Sequence, residues 1–107
     1  MYVIRRVART QPGKAWEVAS YLVKITQAYE EAGRSHAQVY VNAGGLPGTP
    51  NVVYAQWMQE RIEPTDMRTV PEAVGTNHAK MQPLLTEYSI EFYELVTPEA
   101  LEQRGLA

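Results

Sequence analysis

The sequence contains no cysteine, one aspartate and two histidines. The lack of cysteine excludes disulfides, thiol nucleophiles and cysteine-rich zinc sites, and so few histidines and aspartates argue against a dedicated metal centre. No apolar run approaches the roughly 18 residues of a membrane-spanning helix, and the N-terminus has the pattern of a strand instead of a signal peptide. We therefore expect a soluble, cytoplasmic protein with no metal, no cofactor and no membrane partner.

An excess of charge of one sign is absent as well. Ten Lys and Arg residues oppose twelve Asp and Glu residues, so the net charge is −2. No basic surface favours nucleic acid as a partner. At 107 residues and 45% hydrophobic, the chain has the size of one domain with its own core. We predict a single domain over residues 1–107.

The clearest pattern that is present is a long amphipathic helix from Ala15 to about Gly33. Apolar residues recur at three- and four-residue spacing, which forms one continuous stripe at 3.6 residues per turn. Trp16 and Val23 are predicted to widen this stripe on one flank, and Gly33 has the place of a left-handed helix stop. The stripe comprises Val18, Ala19, Leu22, Ile25, Thr26 and Tyr29.

Four segments have the alternation of strands, and a second segment is helical. The predicted strands are Tyr2 to Thr10, His36 to Asn42, Val52 to Glu60 and Ser89 to Val96. Ile62 to Tyr88 is predicted to be helical but divided by Pro71, Gly75 and Pro83. One of its faces would carry Met67, Val70, Pro71 and Val74, and another His78, Met81, Leu85 and Tyr88. Residues 97–107 form a short C-terminal helix or tail, with Thr97 as its cap and Pro98 in its first turn.

The element order predicts an α+β fold, a ferredoxin-like βαββαβ sandwich with a four-stranded antiparallel sheet. Helices cover one face of the sheet, yet the strands carry large apolar residues on both faces. An exposed patch of that size is typical of an interface, so we expect a second copy to cover it and form a dimeric α/β barrel. The residues assigned to this patch are Tyr2, Ile4, Tyr40, Tyr54, Met58 and either Phe92 or Tyr93.

The run from Arg6 to Lys14, R-V-A-R-T-Q-P-G-K, resembles the first strand and turn of NIPSNAP-like and antibiotic-monooxygenase-like proteins. In those families an apolar strand often enters the first helix through Pro-Gly-Lys, and an arginine six residues before the proline is common in NIPSNAP-like chains. The element order matches over about Tyr2 to Val96. The resemblance implies the dimeric α/β barrel fold.

The cofactor-independent haem-degrading members of this superfamily share an Asn on the first strand, then a Trp and a His. This chain has no Asn in its first strand, and Asn42 lies on the second. Trp57 and His78 are present, but at a different spacing. The resemblance therefore implies a superfamily and not that chemistry.

His78 is the candidate catalytic residue, because an imidazole between helix and sheet would serve as a base or a haem ligand. The alternative is a histidine bonded to a backbone carbonyl. The candidate ligand-binding residues are Arg6, Gln38, Tyr40, Tyr54, Gln56 and Trp57. If Arg6 shares a sheet face with the Tyr and Gln residues, they would line a cavity for a carboxylate or phenolate. The alternative for that set is a polar seam in a dimer interface, and for Trp57 and Trp16 simple packing in the core or at its rim.

Two hypotheses remain open. The first is a small homodimer that binds a small aromatic or carboxylate-bearing ligand between sheet and helices and acts as a cofactor-free monooxygenase or isomerase. The second is a non-catalytic homodimer with a structural or protein-interaction role. Arg and Tyr in the sheet favour the first, and the lack of an acid–base pair at motif spacing favours the second.

Overall fold

The computed structural model describes residues 1–62 and 70–106. Its four strands pair in the order β2-β3-β1-β4, and every neighbouring pair is antiparallel. This is the ferredoxin-like α+β sandwich that the sequence predicts, with β1 in the centre of the sheet. Along the chain the elements are β1 (Tyr2–Thr10), α1 (Ala15–Glu31), β2 (Gln38–Asn42), β3 (Val52–Gln59), α2 (Glu72–Met81), a 3₁₀ turn (Gln82–Leu84), β4 (Leu85–Glu94) and α3 (Pro98–Gln103).

The apolar stripe of α1 forms the centre of the core. Leu22 is 1% exposed and packs in one cluster with residues of β1 and β3 and with Met81 of α2. The predicted widening of the stripe is wrong, because Trp16 is 71% exposed and Val23 is exposed as well. Both lie on the flank of α1 that turns away from the sheet, so Trp16 belongs neither to the core nor to its rim.

The second helix ends earlier than predicted, at Met81. Pro71 caps α2 and Pro83 lies in the 3₁₀ turn that ends it, but the helix continues through Gly75 without interruption. Leu85 and Tyr88 are not helical; they belong to β4, which begins at Leu85 instead of Ser89 and ends at Glu94. β4 pairs with β1 along the whole length of that central strand, and the early start supplies partners for backbone groups of β1 that would otherwise be buried without them. Of the other predicted face, Met67 lies outside the described residues, whereas Val70 and Val74 line the cavity described below.

α2 packs mainly against α1 and has little contact with the sheet. Within residues 1–62 and 70–106, the helix-side residues at the far end of β4 are therefore exposed, and Phe92 is 49% exposed. α3 begins as predicted, with the Thr97 hydroxyl accepting a hydrogen bond from the backbone N–H of Ala100 at 3.1 Å. In the described part of the chain, no helix has the length and apolar character needed to cross a membrane.

Candidate functional site

The strand register divides the six predicted ligand-binding residues between the two faces of the sheet. Arg6 lies opposite Ala55 of β3, whereas its neighbour Arg5 lies opposite Gln56. Because successive side chains of a strand point to opposite faces, Arg6 and Trp57 project toward the helices. Gln38, Tyr40, Tyr54 and Gln56 occupy the uncovered face. The structure therefore does not bring the six residues into one site, and the condition that Arg6 share a face with the Tyr and Gln residues is not met.

Arg5 takes the position on the uncovered face that the sequence analysis gave to Arg6. Its Nη2 lies 2.7 Å from Oε1 of Glu91, and its Cζ lies 4.6 Å from the centroid of the Tyr54 ring. The hydrogen bond from Arg5 holds the pKa of the Glu91 carboxyl below its ordinary value, and the same contact raises the pKa of Arg5. Arg5 is thus fully partnered within the chain.

The tyrosine and glutamine side chains of this face are partnered too. The Tyr40 and Tyr54 rings stack with their centroids 5.1 Å apart. The Tyr40 hydroxyl donates to Oε1 of Gln56 at 2.9 Å. This arrangement has the character of a polar seam held by one side-chain hydrogen bond and one ring stack.

The apolar patch on this face is also composed differently from the prediction. Tyr40, Tyr54, Met58 and Tyr93 do belong to it by register, whereas Tyr2, Ile4 and Phe92 alternate onto the helix side. Ile4 is buried there, and Phe92 lies at the edge of a cavity.

That cavity, of about 950 Å³, lies between α1, α2 and the helix side of the sheet. It exists because α2 leans on α1 and leaves the helix side of β4 open. Five elements and one turn contribute six of its polar and aromatic residues, Arg6, Tyr29, Arg34, Trp57, His78 and Tyr88, and the charged residues Glu60 and Arg61 line it as well. The structure thus brings Arg6, Trp57 and His78 together, three of the residues that the sequence singled out.

Arg34 enters the cavity through the turn that ends α1. Gly33 has φ of 107°, and the backbone N–H of Arg34 donates to the carbonyl of Tyr29 at 3.0 Å, as in a glycine-terminated helix. The Arg34 Cζ lies 3.7 Å from the Tyr29 ring centroid and 4.4 Å from that of Trp57. Burial lowers the pKa of Arg34, and the positive charge of Arg6 lowers it further.

Arg6 lies over another aromatic ring. Its Cζ is 4.6 Å from the centroid of Tyr88, and the Tyr88 ring is in turn 5.3 Å from the ring of His78. Burial raises the pKa of the Tyr88 phenol, against the opposing effect of Arg6. The phenol therefore stays protonated near neutral pH and keeps a hydrogen to donate.

Neither Arg6 nor Arg34 forms an ion pair with a carboxylate of the described residues. In contrast, Arg5, Arg9 and Arg104 each have a glutamate within 2.7, 3.5 and 3.2 Å. Two buried or half-buried guanidiniums of like charge that lack an acid partner form a site suited to an anion. Within residues 1–62 and 70–106 no group of three or more side chains is placed to hold a metal ion.

The sequence analysis missed Tyr29, Arg34 and Tyr88 as site residues. A local signal existed for the first two, because a helix that ends on Gly33 folds the next residue back toward Tyr29. Tyr88 was assigned to a helix, so its place beside Arg6 depended on recognising that β4 starts at Leu85.

Comparison with solved structures identifies the fold that this chain shares with known proteins. No protein-family model matches the sequence, and no curated protein matches it. A NIPSNAP-like domain protein from Burkholderia xenovorans superposes with a TM-score of 0.65 at 17% identity, over 91% of this chain and 86% of that one. An antibiotic biosynthesis monooxygenase superposes with a TM-score of 0.64 at 8% identity, over 91% and 100% of the two chains. A NIPSNAP family protein from Agrobacterium tumefaciens gives 0.61 at 13% identity, over 91% and 93%. The chain therefore has the fold of antibiotic biosynthesis monooxygenase-like and NIPSNAP proteins, as its first strand and turn imply.

Proposed function

We propose that this chain is one subunit of a homodimer that binds a small aromatic or carboxylate-bearing ligand in the cavity between sheet and helices. One observation carries the proposal. Arg6 and Arg34 face a cavity of about 950 Å³, each stacked on aromatic rings and each without a carboxylate partner among the described residues. Ligand pockets of small proteins are built in this way, with apolar and aromatic walls and a few fixed polar groups.

Cofactor-free isomerisation is the chemistry that these groups support best. The His78 imidazole is placed to take a proton from a carbon next to a carbonyl group, because it lies at the cavity wall beside Tyr88. The negative charge that develops on the carbonyl oxygen would be stabilised by Arg6 and by the protonated Tyr88 hydroxyl. The proton then returns to a second carbon, so the reaction needs neither oxidant nor metal.

Cofactor-free oxygenation is a second candidate, favoured by the likeness in fold to a protein named an antibiotic biosynthesis monooxygenase. It starts from the same step, removal of a proton from the bound compound, and adds molecular oxygen as co-substrate. Product analysis with and without oxygen separates the two reactions.

The dimer is proposed on separate grounds. The uncovered sheet face presents partly exposed aromatic and apolar side chains, of which Tyr93 is 47% exposed. Its two arginines, Arg5 and Arg9, are paired with Glu91 and Glu87, so it offers a second copy a surface whose arginine charges are already compensated. A non-catalytic homodimer is the alternative function, since this seam would serve assembly alone.

Binding in the cavity is tested by NMR, because the chain has two tryptophans and only Trp57 lines the cavity. The indole N–H of Trp57 donates to Gln59 Oε1 at 2.7 Å. Its NMR signal is assigned with the variant Trp16→Phe, which lacks the other indole. A panel of neutral, cationic and anionic one- and two-ring aromatic compounds is added to the labelled protein. We expect some of them to shift the Trp57 signal and raise the melting temperature. If no compound in the panel does either, ligand binding in this cavity is wrong.

A further inference from the structure

We propose that the cavity selects an amphipathic aromatic acid, whose anionic group is held by the guanidiniums of Arg6 and Arg34 while its ring lies on the apolar wall of β4. This inference rests on the proposed ligand-binding function and goes further, because it commits to a charge, an orientation and two anchoring residues. Neutral aromatic compounds of the same shape are predicted to be poor ligands.

The stacking geometry leaves the hydrogen-bond donors of both arginines available. A guanidinium that lies over an aromatic ring uses its flat face, whereas its five N–H groups point outward in its own plane. The Arg6 Cζ lies over the Tyr88 ring and the Arg34 Cζ lies over the rings of Tyr29 and Trp57, so aromatic contacts hold both guanidiniums in place. No carboxylate of residues 1–62 and 70–106 occupies either fork, although the Tyr29 side chain hydrogen-bonds to Arg34 and opposes the fall in its pKa. Donors held in this way are preorganised for the two oxygens of a carboxylate.

Among the described residues, three arginines and one carboxylate, Glu60, line the cavity, so its charge balance also favours an anion. Arg6 and Arg34 are near enough for the charge of one to disfavour the charge of the other, and burial adds to that cost at Arg34. An anion that enters between them relieves both effects. A neutral ligand would offer the donors weaker hydrogen bonds than a carboxylate and would leave the two positive charges unopposed.

The remaining wall defines the rest of the ligand. Ile90 and Phe92 alternate with the outward residues of β4 and face the cavity side, where α2 does not cover them. Both are exposed apolar side chains. A flat hydrocarbon body attached to the acid would cover them. The Tyr88 hydroxyl would donate a hydrogen bond to a second oxygen of the ligand.

Two probes of equal shape and different charge test the proposal: 2-naphthoate and 2-naphthamide, titrated by calorimetry at pH 7. We expect naphthoate to bind at least about 10-fold more tightly than naphthamide, as charged hydrogen bonds would require. Arg6→Met and Arg34→Met should each weaken naphthoate by about 10- to 100-fold and leave naphthamide unchanged. Arg104→Met is the matched control, because Arg104 is exposed on α3 and bonded to Glu94, and it should change neither affinity.

The outcomes separate this inference from the function on which it rests. Naphthamide binding as tightly as naphthoate, with a shift of the Trp57 signal, overturns the anion selectivity and leaves ligand binding in the cavity intact. If neither naphthoate nor naphthamide binds, the inference is wrong. The wider aromatic panel then decides whether the cavity binds a ligand at all. If Arg6→Met does not fold by circular dichroism, Arg34→Met alone decides, and unchanged naphthoate affinity in that variant counts against the proposal. Shifts of the Nε–H signals of Arg6 and Arg34 on addition of naphthoate would support direct contact.

Discussion

Arg5 and Arg6 are neighbours in sequence and have opposite environments. Arg5 points to the uncovered face of the sheet and is saturated by Glu91, whereas Arg6 points into the cavity and has only an aromatic ring as a partner. The chemical difference comes entirely from strand alternation and from what each face holds. Arg5 therefore belongs to the face proposed for assembly and Arg6 to the cavity proposed for ligand binding.

The Arg5–Glu91 pair predicts a pH dependence. The folded-state pKa of Glu91 lies below its ordinary value of 4.5 because Arg5 donates to the charged carboxylate. A depressed folded-state pKa means that the pair's contribution is complete above about pH 4.5 and is lost as the pH falls through the folded-state pKa. Carbon-detected NMR titration should show Glu91 titrating below 4.5 in the native chain and moving upward in Arg5→Met. An unchanged Glu91 titration in that variant would contradict the pairing.

Leu22 tests the core at the centre of α1. Leu22→Ala empties a site that is 1% exposed, and such changes lower the free energy of unfolding by about 2–5 kcal/mol. Gln27→Ala, on the exposed side of the same helix, should change it by less than about 0.5 kcal/mol. Urea denaturation measures both. Equal effects of the two changes would mean that the buried stripe has been misplaced.

At the scale of elements, the end of α1 determines where the second cavity arginine lies. Gly33 allows the backbone to turn through positive φ, and the next residue then folds back over Tyr29. A helix stop thus has a functional consequence, because it positions Arg34. The packing of α2 against α1 has a consequence of the same kind, since it opens the cavity beside β4.

Two glycines give a matched test of this point. Gly33→Ala should lower the free energy of unfolding by about 1–2 kcal/mol, because φ of 107° is strained for any L side chain. Gly75→Ala should raise it by about 0.5–1 kcal/mol, since Gly75 lies inside α2 and a Cβ there meets no atom within 4 Å. Thermal or urea unfolding measures both. Destabilisation by both changes would show that α2 does not run through Gly75.

At the scale of the whole molecule, the two sheet faces serve different purposes. One face packs on α1 and borders the cavity, and the other carries the Tyr40–Tyr54 stack and the Arg5–Glu91 pair. A partner copy on the second face would bury roughly 800 Å² per subunit, the size of a typical specific interface.

Tyr93 and Phe92 give a matched pair for this interface, because they are adjacent, similarly exposed and on opposite faces. Sedimentation of the native chain should give a dimer of the 12.1 kDa subunit. Tyr93→Lys should shift it toward monomer, since a charge would be buried at the interface. Phe92→Lys should remain dimeric. A native chain that sediments as a monomer at micromolar concentration would exclude the dimer.

The sequence by itself determined the elements and their order. The apolar stripe of α1, the alternation of four strands, the stop at Gly33 and the cap at Thr97 are all local patterns, and the structure contains each of them. Local patterns are sufficient for this because helix and strand periods are properties of the chain itself. Together with the order of elements, they predicted the ferredoxin-like fold.

Only the tertiary structure decided which residues meet. Arg6 would have shared a face with Tyr54 if β1 and β3 were paired one residue differently, and Tyr88 entered the site only because β4 begins early to match β1. Strand register depends on contacts between segments far apart in sequence, and a shift of one residue moves every side chain to the other face. The exposure of Trp16, on a helix, also depends on tertiary contacts. Its spacing placed it beside the stripe, but no part of the described chain packs on that flank of α1, so the ring is exposed.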